Sequence, residues 1–352
     1  MSEHEQPSNV GWSVEEDNKL ARMYLADEPP RTIRECSDEL GKSKSATDRR
    51  ITALGLRGRQ GDRALYERLT GVALEPVLRP VRVDLPAAPR AKPRGVDYSV
   101  LVWSDVHFPF QSDPAIDILR QVARDLQPRK LVCLGDVFDF FELSDHRAPR
   151  DQEPDIQEAL NLGVQHLADM RSISGADECD FMGGNHEDRW DRMLEKAAYD
   201  VRFRQLLQLP KIKRALQFSE IVGFKELGYE YHPYTEGHPL VENDRLVYIH
   251  GYHTGPNVTR QTLTKYGKSV VFGHKHVIQN VTKRDLKGTD ASWCIGCLCT
   301  LDPFYEPFAD WAHGFAVVNW CKVDGSWHFD VETVRVHNDV AVWRGNVYKA
   351  NL

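Results

Sequence analysis

Short apolar runs, most of them ending at a glycine, aspartate, asparagine or histidine, recur along the chain from residue 96 onward. Runs of about four to eight apolar residues bounded by turn-forming residues are typical of buried β-strands. They predict strands over 98–103, 130–134, 180–182, 246–249, 269–272 and 315–320. Apolar residues at helical spacing predict helices over 114–126, 156–171 and 187–207. Strands that alternate with helices, followed by strands with few helices between them, predict an α/β domain with added β-sheet.

A shorter helical region precedes this domain. Ser13 and Glu16 are spaced as a capping box, in which two side chains satisfy exposed backbone N–H groups at a helix start. Further helices are predicted over 32–40 and 45–54, with Gly41 in the turn between them. Three short helices with a glycine turn before the third are typical of a helix-turn-helix unit. Five prolines between residues 71 and 94 then predict an extended linker.

Composition restricts the class of protein. The chain has 352 residues, of which 41% are apolar and 28% charged, as in ordinary globular proteins. Its formal net charge is −7, so any contact with nucleic acid has to come from a local basic patch. No apolar run approaches the roughly 18 residues of a membrane span, and the first seven residues are polar. With seven cysteines and no export signal, we expect reduced thiols, a cytoplasmic location and no membrane contact.

Polar side chains cluster directly after five of the predicted strands. They are Asp105, His107, Asp136, Asp139, Asn185, His186, His250, His274 and His276. Ligands bind beyond the carboxyl ends of strands in open sheets, so these turns are expected to converge on one site. Carboxylate, amide and imidazole donors suit Mn²⁺, Fe, Zn²⁺ or Mg²⁺. The number of candidate ligands is too large for one ion and fits two ions that share a carboxylate.

The order and spacing of these residues resemble a known signature. The five groups are Asp105-x-His107, Gly135-Asp136-x-x-Asp139, Gly184-Asn185-His186-Glu187, His250 and Gly273-His274-x-His276. Together they resemble the five-block signature of the calcineurin-like metallophosphoesterases. The resemblance implies a β-sandwich flanked by helices over residues 96–340 and a metal-dependent enzyme that hydrolyses phosphate esters. It also implies in-line attack on phosphorus by a hydroxide that bridges two divalent ions, for which we expect Mn²⁺, with Fe, Zn²⁺ and Mg²⁺ as alternatives.

The resemblance also implies a role for each residue. One ion would be held by Asp105, His107 and His276, the other by Asn185, His250 and His274, and Asp136 would bridge them. His186 would protonate the leaving oxygen or stabilise the transition state, and Asp139 would orient it, unless Asp139 only caps a helix. Arg189 either reaches the substrate phosphate or forms a surface ion pair. Glu187 is expected at a helix start and is left out of the ligand set.

Two further features favour nucleic acid as the substrate. The Gly135 to Asp139 block resembles that of DNA-repair nucleases of the SbcD and Mre11 type, whereas protein phosphatases carry Arg-Gly where Phe140-Phe141 stand here. Seven basic and two acidic residues lie between positions 41 and 63, a local charge of +5. The predicted DNA-contacting residues are Lys42, Lys44, Arg49, Arg50, Arg57 and Arg59. This segment resembles the small helix-turn-helix modules of phage and bacterial DNA-binding proteins, and Trp12 resembles the start of Myb-like three-helix units.

We therefore predict a helix-turn-helix-like DNA-binding domain over 1–70, a Pro-rich linker over 71–95 and a metallophosphoesterase domain over 96–340. The function predicted is a DNA-processing nuclease, in the host cytoplasm if the chain is phage-encoded. One alternative is a phosphomonoesterase or small-nucleotide phosphodiesterase whose N-terminal unit docks a partner protein. Another is a regulator that binds DNA and uses the metal domain as a sensor.

Two segments have open interpretations. Cys294, Cys297 and Cys299 either pack in the core or take part in a metal or redox site. The aromatic run over 304–311 either covers the core or forms a wall of the active-site groove on which bases stack.

Overall fold

The structure, a computed structural model, describes residues 12–26, 30–57, 65–66, 95–144, 155–234, 239–286, 288–303 and 309–351. The chain divides into two compact units, Met1–Arg79 and Pro80–Leu352. Apart from residue 95, the predicted linker over 71–95 lies outside the described residues.

The first unit contains the three predicted helices. They are α1 (Val14–Ala21), which continues as a π-helical turn (Arg22–Ala26), α2 (Ile33–Leu40) and α3 (Lys44–Ala53). The capping box is present: the Ser13 hydroxyl accepts a hydrogen bond from the Glu16 amide at 3.1 Å, and the Glu16 carboxylate accepts one from the Ser13 amide at 2.8 Å. Gly41 ends α2 with a φ of 61°, which a residue with a side chain seldom adopts. A short glycine turn between α2 and α3 fits a helix-turn-helix, which stays a prediction.

The second unit is built on strands that match most of the predicted ones. In chain order they are β1 (Tyr98–Trp103), β2 (Lys130–Cys133), β3 (Glu178–Met182), β4 (Glu230–His232), β5 (Leu240–Glu242), β6 (Leu246–Ile249), β7 (Ser269–Phe272), β8 (Ile278–Asp285), β9 (Gly288–Ile295), β10 (Gly314–Val323), β11 (Ser326–His337), β12 (Val340–Trp343) and β13 (Asn346–Lys349). The last two strands extend the sheet beyond residue 340, where the sequence prediction ended the domain.

These strands form two sheets. One has the order β13-β12-β11-β10-β1-β2-β3-β4 and the other the order β5-β6-β7-β9-β8. Strands β1 to β4 run parallel to one another, as do β6, β7 and β9. Parallel strands end at the same edge of a sheet, so the turns after β1, β2 and β3 lie side by side.

The faces of the sheets explain the apolar runs. Along β1, Leu101 and Trp103 pack against helices, whereas Val100 and Val102 pack against the second sheet. Because successive residues of a strand point to opposite faces, a strand covered on both faces is apolar throughout. A further apolar cluster lies between the second sheet and the helix Val258–Tyr266. The predicted β-sandwich flanked by helices is therefore confirmed.

The helices of this unit cover the sheets. They are α4 (Asp113–Leu126), α5 (Ile156–Ser174), α6 (Asp188–Ala197), α7 (Val201–Leu207), α8 (Pro210–Ala215), α9 (Phe218–Val222), α10 (Phe224–Leu227) and α11 (Val258–Tyr266). The single helix predicted over 187–207 is wrong, because the chain turns after Ala197. The Asp200 carboxylate then accepts a hydrogen bond from the Arg202 amide at 2.8 Å and starts a new helix. None of the described helices has the length and hydropathy of a membrane span.

One buried polar side chain in this core has no described partner. His166 of α5 is 1% exposed, and neither of its ring nitrogens makes a hydrogen bond with a described residue. Its ring packs beside Trp103 and Phe108, with ring centroids 6.0 and 5.6 Å away. Burial, with the nearby positive charge of Arg120, lowers the pKa of His166 to about 3. The folded protein therefore holds this imidazole neutral.

We predict that His166 makes stability fall with acidity. Below a pH of about 6.5, His166 binds a proton in the unfolded chain but stays neutral in the folded chain. The free energy of unfolding therefore decreases as the pH falls. Between pH 6.5 and 5 the loss from this group alone is about 2 kcal/mol. Urea unfolding of a His166→Phe variant should show that much less pH dependence than the native chain. An equal dependence would contradict the prediction, and His328→Phe, at an exposed position, is the matched control.

Candidate metal centre and active site

The turns that follow β1, β2, β3, β6 and β7 meet where the carboxyl ends of the two sheets adjoin. Hydrogen bonds between the turns join the sheets there, and two of them involve the backbone. The His250 Nδ1–H donates to the Leu134 carbonyl at 2.7 Å, and the His274 amide donates to the Asp105 carboxylate at 2.9 Å. The structure thereby brings together the side chains that the sequence placed after five separate strands.

The backbone of these turns is strained at the residues that matter. Among the candidate ligands, φ is 58° at Asp105, 54° at His107, 50° at Asp136, 68° at His274 and 63° at His276. This left-handed conformation costs about 1–3 kcal/mol for a residue with a side chain, and it is concentrated at functional sites. The turns keep it because their side chains and amides are tied to one another.

Glycines allow the turns to approach the carboxylates. A Cβ atom at Gly184 would lie 2.1 Å from Asp136 Oδ1, and one at Gly273 would lie 2.4 Å from Asp105 Oδ2. No side chain fits at these distances. The glycines that precede Asn185 and His274 in the sequence are therefore part of the geometry of the site.

The side chains form two groups around one carboxylate. In the first, His276 Nε2 lies 3.2 Å from Asp105 Oδ1 and 3.2 Å from His107 Nε2, which is 3.8 Å from Asp136 Oδ2. In the second, His250 Nε2 lies 3.1 Å from Asp136 Oδ2 and 3.1 Å from Asn185 Oδ1.

The His274 ring completes the second group. Donor atoms of Asp136, His250 and His274 lie within 4.8 Å of one another, as do those of Asp105, His107 and Asp136. Asp136 thus belongs to both groups, which is the arrangement expected of a bridging ligand.

Two of the histidines are held with one nitrogen facing the centre. His107 Nδ1–H donates to Asp139 Oδ2 at 2.8 Å, and the Nδ1–H of His250 donates to the Leu134 carbonyl. A hydrogen bond at Nδ1 fixes the tautomer and leaves the Nε2 lone pair for an ion. The ring orientations are therefore those of metal ligands.

The electrostatics of the cluster call for positive charge. Burial lowers the pKa of both His107 and His250, but the surrounding carboxylates outweigh burial. Hydrogen bonds and charges from Asp105, Asp139 and Asp136 hold the pKa of His107 well above its ordinary value, and Asp136 raises that of His250 to about 9. Burial also raises the pKa of Asp136, but the histidines around it hold that pKa well below its usual range. Protons supply positive charge that divalent cations supply equally well.

A second observation also indicates that the donor set fits divalent ions. His274 Nδ1 is buried and has no hydrogen-bond partner among the described residues. A buried nitrogen without a partner is costly unless a ligand satisfies it. His107 Nε2 and His276 Nε2 also lie 3.2 Å apart, close enough for one ion to contact both. Oxygen and imidazole donors of this kind suit Mn²⁺, Fe, Zn²⁺ or Mg²⁺.

His186 lies beside the two groups and is oriented by a backbone atom. Its Nδ1–H donates to the Asp139 carbonyl at 2.7 Å, and its Nε2 accepts from Arg189 Nη2 at 3.1 Å and lies 3.9 Å from Asp136 Oδ2. The Asp139 carboxylate is 3.3 Å from His186 Nδ1 but 2.8 Å from His107 Nδ1. Asp139 therefore orients His186 chiefly through its carbonyl, and its carboxylate chiefly holds His107. No described helix begins at Asp139, which removes the helix-cap alternative.

Arg189 forms an ion pair below the surface rather than on it, because its Nη1 lies 3.7 Å from Asp139 Oδ1. Its side chain is 16% exposed, and its Nη1 donates to the Asp139 carbonyl at 2.8 Å while Nη2 faces His186. The guanidinium is thus part of the His186 environment, next to the place where a phosphate bound to the centre would lie.

Glu187 has a function that the sequence analysis missed. It precedes α6 as expected, but its side chain does not cap that helix. The side chain is buried and accepts four backbone N–H bonds from two turns. The donors are the amides of Gly184 at 2.7 Å, Asp136 at 2.8 Å, Val137 at 2.8 Å and Phe138 at 3.2 Å. Glu187 therefore fixes the turn of Asp136 against the turn of Asn185. The signal available in the sequence was its place in the Gly184 to Glu187 block, which we assigned to the helix start.

The cysteine and aromatic segments adjoin one candidate ligand. Cys299 Sγ lies 3.9 Å from His276 Nδ1, and the ring of Trp311 packs edge-on against His276 with centroids 4.1 Å apart. Burial raises the pKa of the Cys299 thiol well above its ordinary value. The Cys299 Sγ atom also lies within 4.8 Å of donor atoms of His107 and His276. Residues 304–308 of the aromatic run lie outside the described part of the chain.

Several basic residues of the first unit serve its internal packing. Lys42 pairs with Glu16 at 2.8 Å, Arg50 pairs with Asp17, and Arg57 pairs with Asp48. The Arg50 pair is mostly buried and joins two helices of the unit, and contact of Arg50 with DNA stays a prediction.

The remaining basic residues of that unit divide in two. Lys44 and Arg49 of α3 are exposed and make no ion pair with any described residue. Arg59 lies outside the described part of the chain.

We predict that Glu187→Gln destabilises the protein and loosens the centre. The amide that replaces one oxygen points N–H groups at backbone N–H groups, and a buried donor left without an acceptor costs about 1–3 kcal/mol. We expect a lower urea midpoint and a lower metal content after dialysis against Mn²⁺. Glu195→Gln, on the exposed face of α6, is the matched control. If the two variants behave alike, Glu187 does not hold the turns.

Similarity to known proteins is found among solved structures and in a family model. A comparison with curated proteins found no match. Solved structures similar to the chain include a Vps29 single mutant from Entamoeba histolytica, at 13% identity and a TM-score of 0.33, covering 67% of this chain and 98% of that one. Another is YfcE, a phosphoesterase from E. coli, at 15% identity and a TM-score of 0.31, covering 68% and 100%. A third is the nuclease MPE of Pseudomonas putida, at 13% identity and a TM-score of 0.28, covering 62% and 82%.

The family model described as calcineurin-like phosphoesterase matches residues 98–278, just over half of the chain. The matched range contains every candidate ligand and His186. The chain therefore belongs to the calcineurin-like phosphoesterase family and is a metal-dependent phosphoesterase.

Proposed function

We propose that this enzyme is a two-metal phosphodiesterase that acts on nucleic acid. The observation that carries the proposal is the pair of ligand groups that share Asp136. Asp105, His107 and His276 would hold one ion, and Asn185, His250 and His274 the other. We expect Mn²⁺ in both positions, with Fe, Zn²⁺ and Mg²⁺ as the alternatives that oxygen and imidazole donors also suit.

The ions supply Lewis-acid charge, which polarises a phosphoryl oxygen and acidifies a water molecule. The other steps belong to residues of the chain. His186 Nε2 faces the shared carboxylate, and once it carries a proton in place of the hydrogen bond from Arg189 it is the group placed to give that proton to a leaving oxygen. Arg189 lies beside it, and its N–H groups are placed to bind a phosphoryl oxygen as negative charge accumulates.

The surroundings of the centre favour a diester of nucleic acid over a phosphoprotein. Where phosphoprotein phosphatases carry an arginine, Phe140 is buried in the core and stacks on Phe138 with centroids 5.5 Å apart. The cationic groups near the site come instead from α6, on the Asn185 side. A protein phosphatase would need a different source of charge for its substrate.

We predict the following result for a panel of phosphate esters tested with Mn²⁺. Bis-p-nitrophenyl phosphate and DNA should be hydrolysed, and p-nitrophenyl phosphate should be a poor substrate. The variant His186→Ala should keep its metal and lose roughly 10²–10⁴-fold in turnover of DNA, because general acid–base groups contribute that much. Its loss should be smaller with the nitrophenyl diester, whose leaving group needs little protonation.

The variant Asp136→Asn serves as the contrasting case. It should lose both ions in elemental analysis and with them all turnover. Preferred hydrolysis of p-nitrophenyl phosphate would establish the phosphomonoesterase alternative, and a metal-loaded protein inactive on the whole panel would favour the sensor alternative.

We also propose that the first unit binds duplex DNA and brings the enzyme to its substrate. The support is the glycine turn before α3 together with Lys44 and Arg49, which are exposed on that helix. Their cationic groups are available for phosphates because they are not used in ion pairs with described residues.

We predict that the double substitution Lys44→Ala/Arg49→Ala weakens duplex binding by the full chain. Each phosphate contact contributes about −0.9 to the slope of log affinity against log salt, so the slope should flatten by up to about 1.8. Gel-shift titrations at several salt concentrations measure this. The matched control is Lys283→Ala/Arg284→Ala, at exposed positions of β8. An unchanged slope would favour a unit that docks a protein.

A further inference from the structure

A groove opens directly beside the candidate metal centre. One wall is α6 and the other is the 3₁₀ turn Phe141–Leu143, which follows Asp139. Its volume is about 500 Å³. We call it the α6 groove; the lining residues that matter are Glu142, Asn185, Arg189, Arg192, Met193 and Lys196.

The groove and the metal centre share residues. Asn185 is a candidate ligand and also lines the groove. Arg192 donates to the Asn185 carbonyl at 3.1 Å, and Arg189 contacts His186 at 3.1 Å. The groove is therefore continuous with the metal centre, and one substrate molecule can occupy both.

Positive charge runs along the α6 wall. Arg189, Arg192 and Lys196 are three and four residues apart, a spacing that places them on one face of a helix. Arg192 Nε pairs with Asp188 at 2.9 Å and Arg189 Nη1 lies 3.7 Å from Asp139 Oδ1, and each guanidinium has further N–H groups for a phosphate. With a rise of about 1.5 Å per residue, they extend over about 10 Å. An ester with a single phosphate occupies only one end of such a row. The row fits a substrate that repeats its negative charge.

Other groups that line the groove favour nucleic acid over a simple polyphosphate as the ligand. The Glu142 Oε1 atom accepts a hydrogen bond from the Asp155 amide at 3.1 Å, but Oε2 is buried without a hydrogen-bond partner in the described part of the chain. Glu142 Oε2 therefore requires a hydrogen-bond donor. A sugar hydroxyl or a base amino group provides such a donor, and a phosphate does not. Met193 adds an apolar contact for the face of a base.

We infer that the α6 groove binds a single strand of nucleic acid adjoining the scissile phosphate. The inference rests on the proposed function and adds the form of the substrate. A groove of this volume has the size of a small-ligand pocket and matches a segment of one strand. The phosphates follow Arg189, Arg192 and Lys196, and a base or sugar turns toward Glu142.

Binding of a labelled single-stranded oligonucleotide to the Mn²⁺-loaded full chain tests the inference, with fluorescence anisotropy as the readout. The variant is Lys196→Gln, which removes one charge and keeps the helix. Each contact with a single-strand phosphate contributes about 0.7 to the salt slope, so the slope should flatten by about that amount. Binding should weaken severalfold. Lys283→Gln, at an exposed position of β8, is the matched control and should bind as the native chain does.

Turnover separates this inference from the proposed function. In Lys196→Gln, the KM for the oligonucleotide should rise by a larger factor than the KM for bis-p-nitrophenyl phosphate, which has one phosphate. Equal factors, an unchanged salt slope or equal kcat/KM for single strands and duplexes would overturn the groove as the strand path. A native enzyme that hydrolyses none of the diesters would instead overturn the proposed function, and the anisotropy result would still decide the groove.

Discussion

The buried carboxylate of Asp136 is the interaction on which the site depends. It belongs to both ligand groups, and one of its oxygens also accepts a hydrogen bond from the His186 amide at 2.9 Å. A buried carboxylate requires positive charge or hydrogen-bond donors around it. The histidines, the strained turns and the glycines that let them approach are all arranged to supply these. The chemistry of the centre and the conformation of its backbone are therefore parts of one electrostatic arrangement.

Much of this could be predicted from the sequence because strand ends carry a local signal. The strand over 98–103 and the polar residues that follow it are visible in the order of residues alone. The convergence of the turns could be predicted as well, since parallel strands of a sheet end at one edge. The family signature then assigned each side chain to a group that the structure brings together.

What the sequence did not reveal depends on distances between turns. Glu187 stands where a helix cap is expected, and only the packed turns show that its carboxylate accepts amides from the neighbouring strand end. The divided role of Asp139 has the same cause, because a carbonyl and a carboxylate of one residue cannot be told apart in a pattern. The charge of Arg50 predicts a DNA contact. Its ion pair with Asp17, which lies on another helix, is not visible in the sequence pattern.

The seam between the two sheets has a mechanical consequence. Asp105, Asp136 and Asn185 come from one sheet, and His250, His274 and His276 come from the other. Ions held by both sets would cross-link the two sheets, because neither sheet could move relative to the other without breaking coordination bonds. Anything that binds only the folded chain raises its stability by mass action. Loss of the ions would then lower the stability of the fold as well as remove the activity.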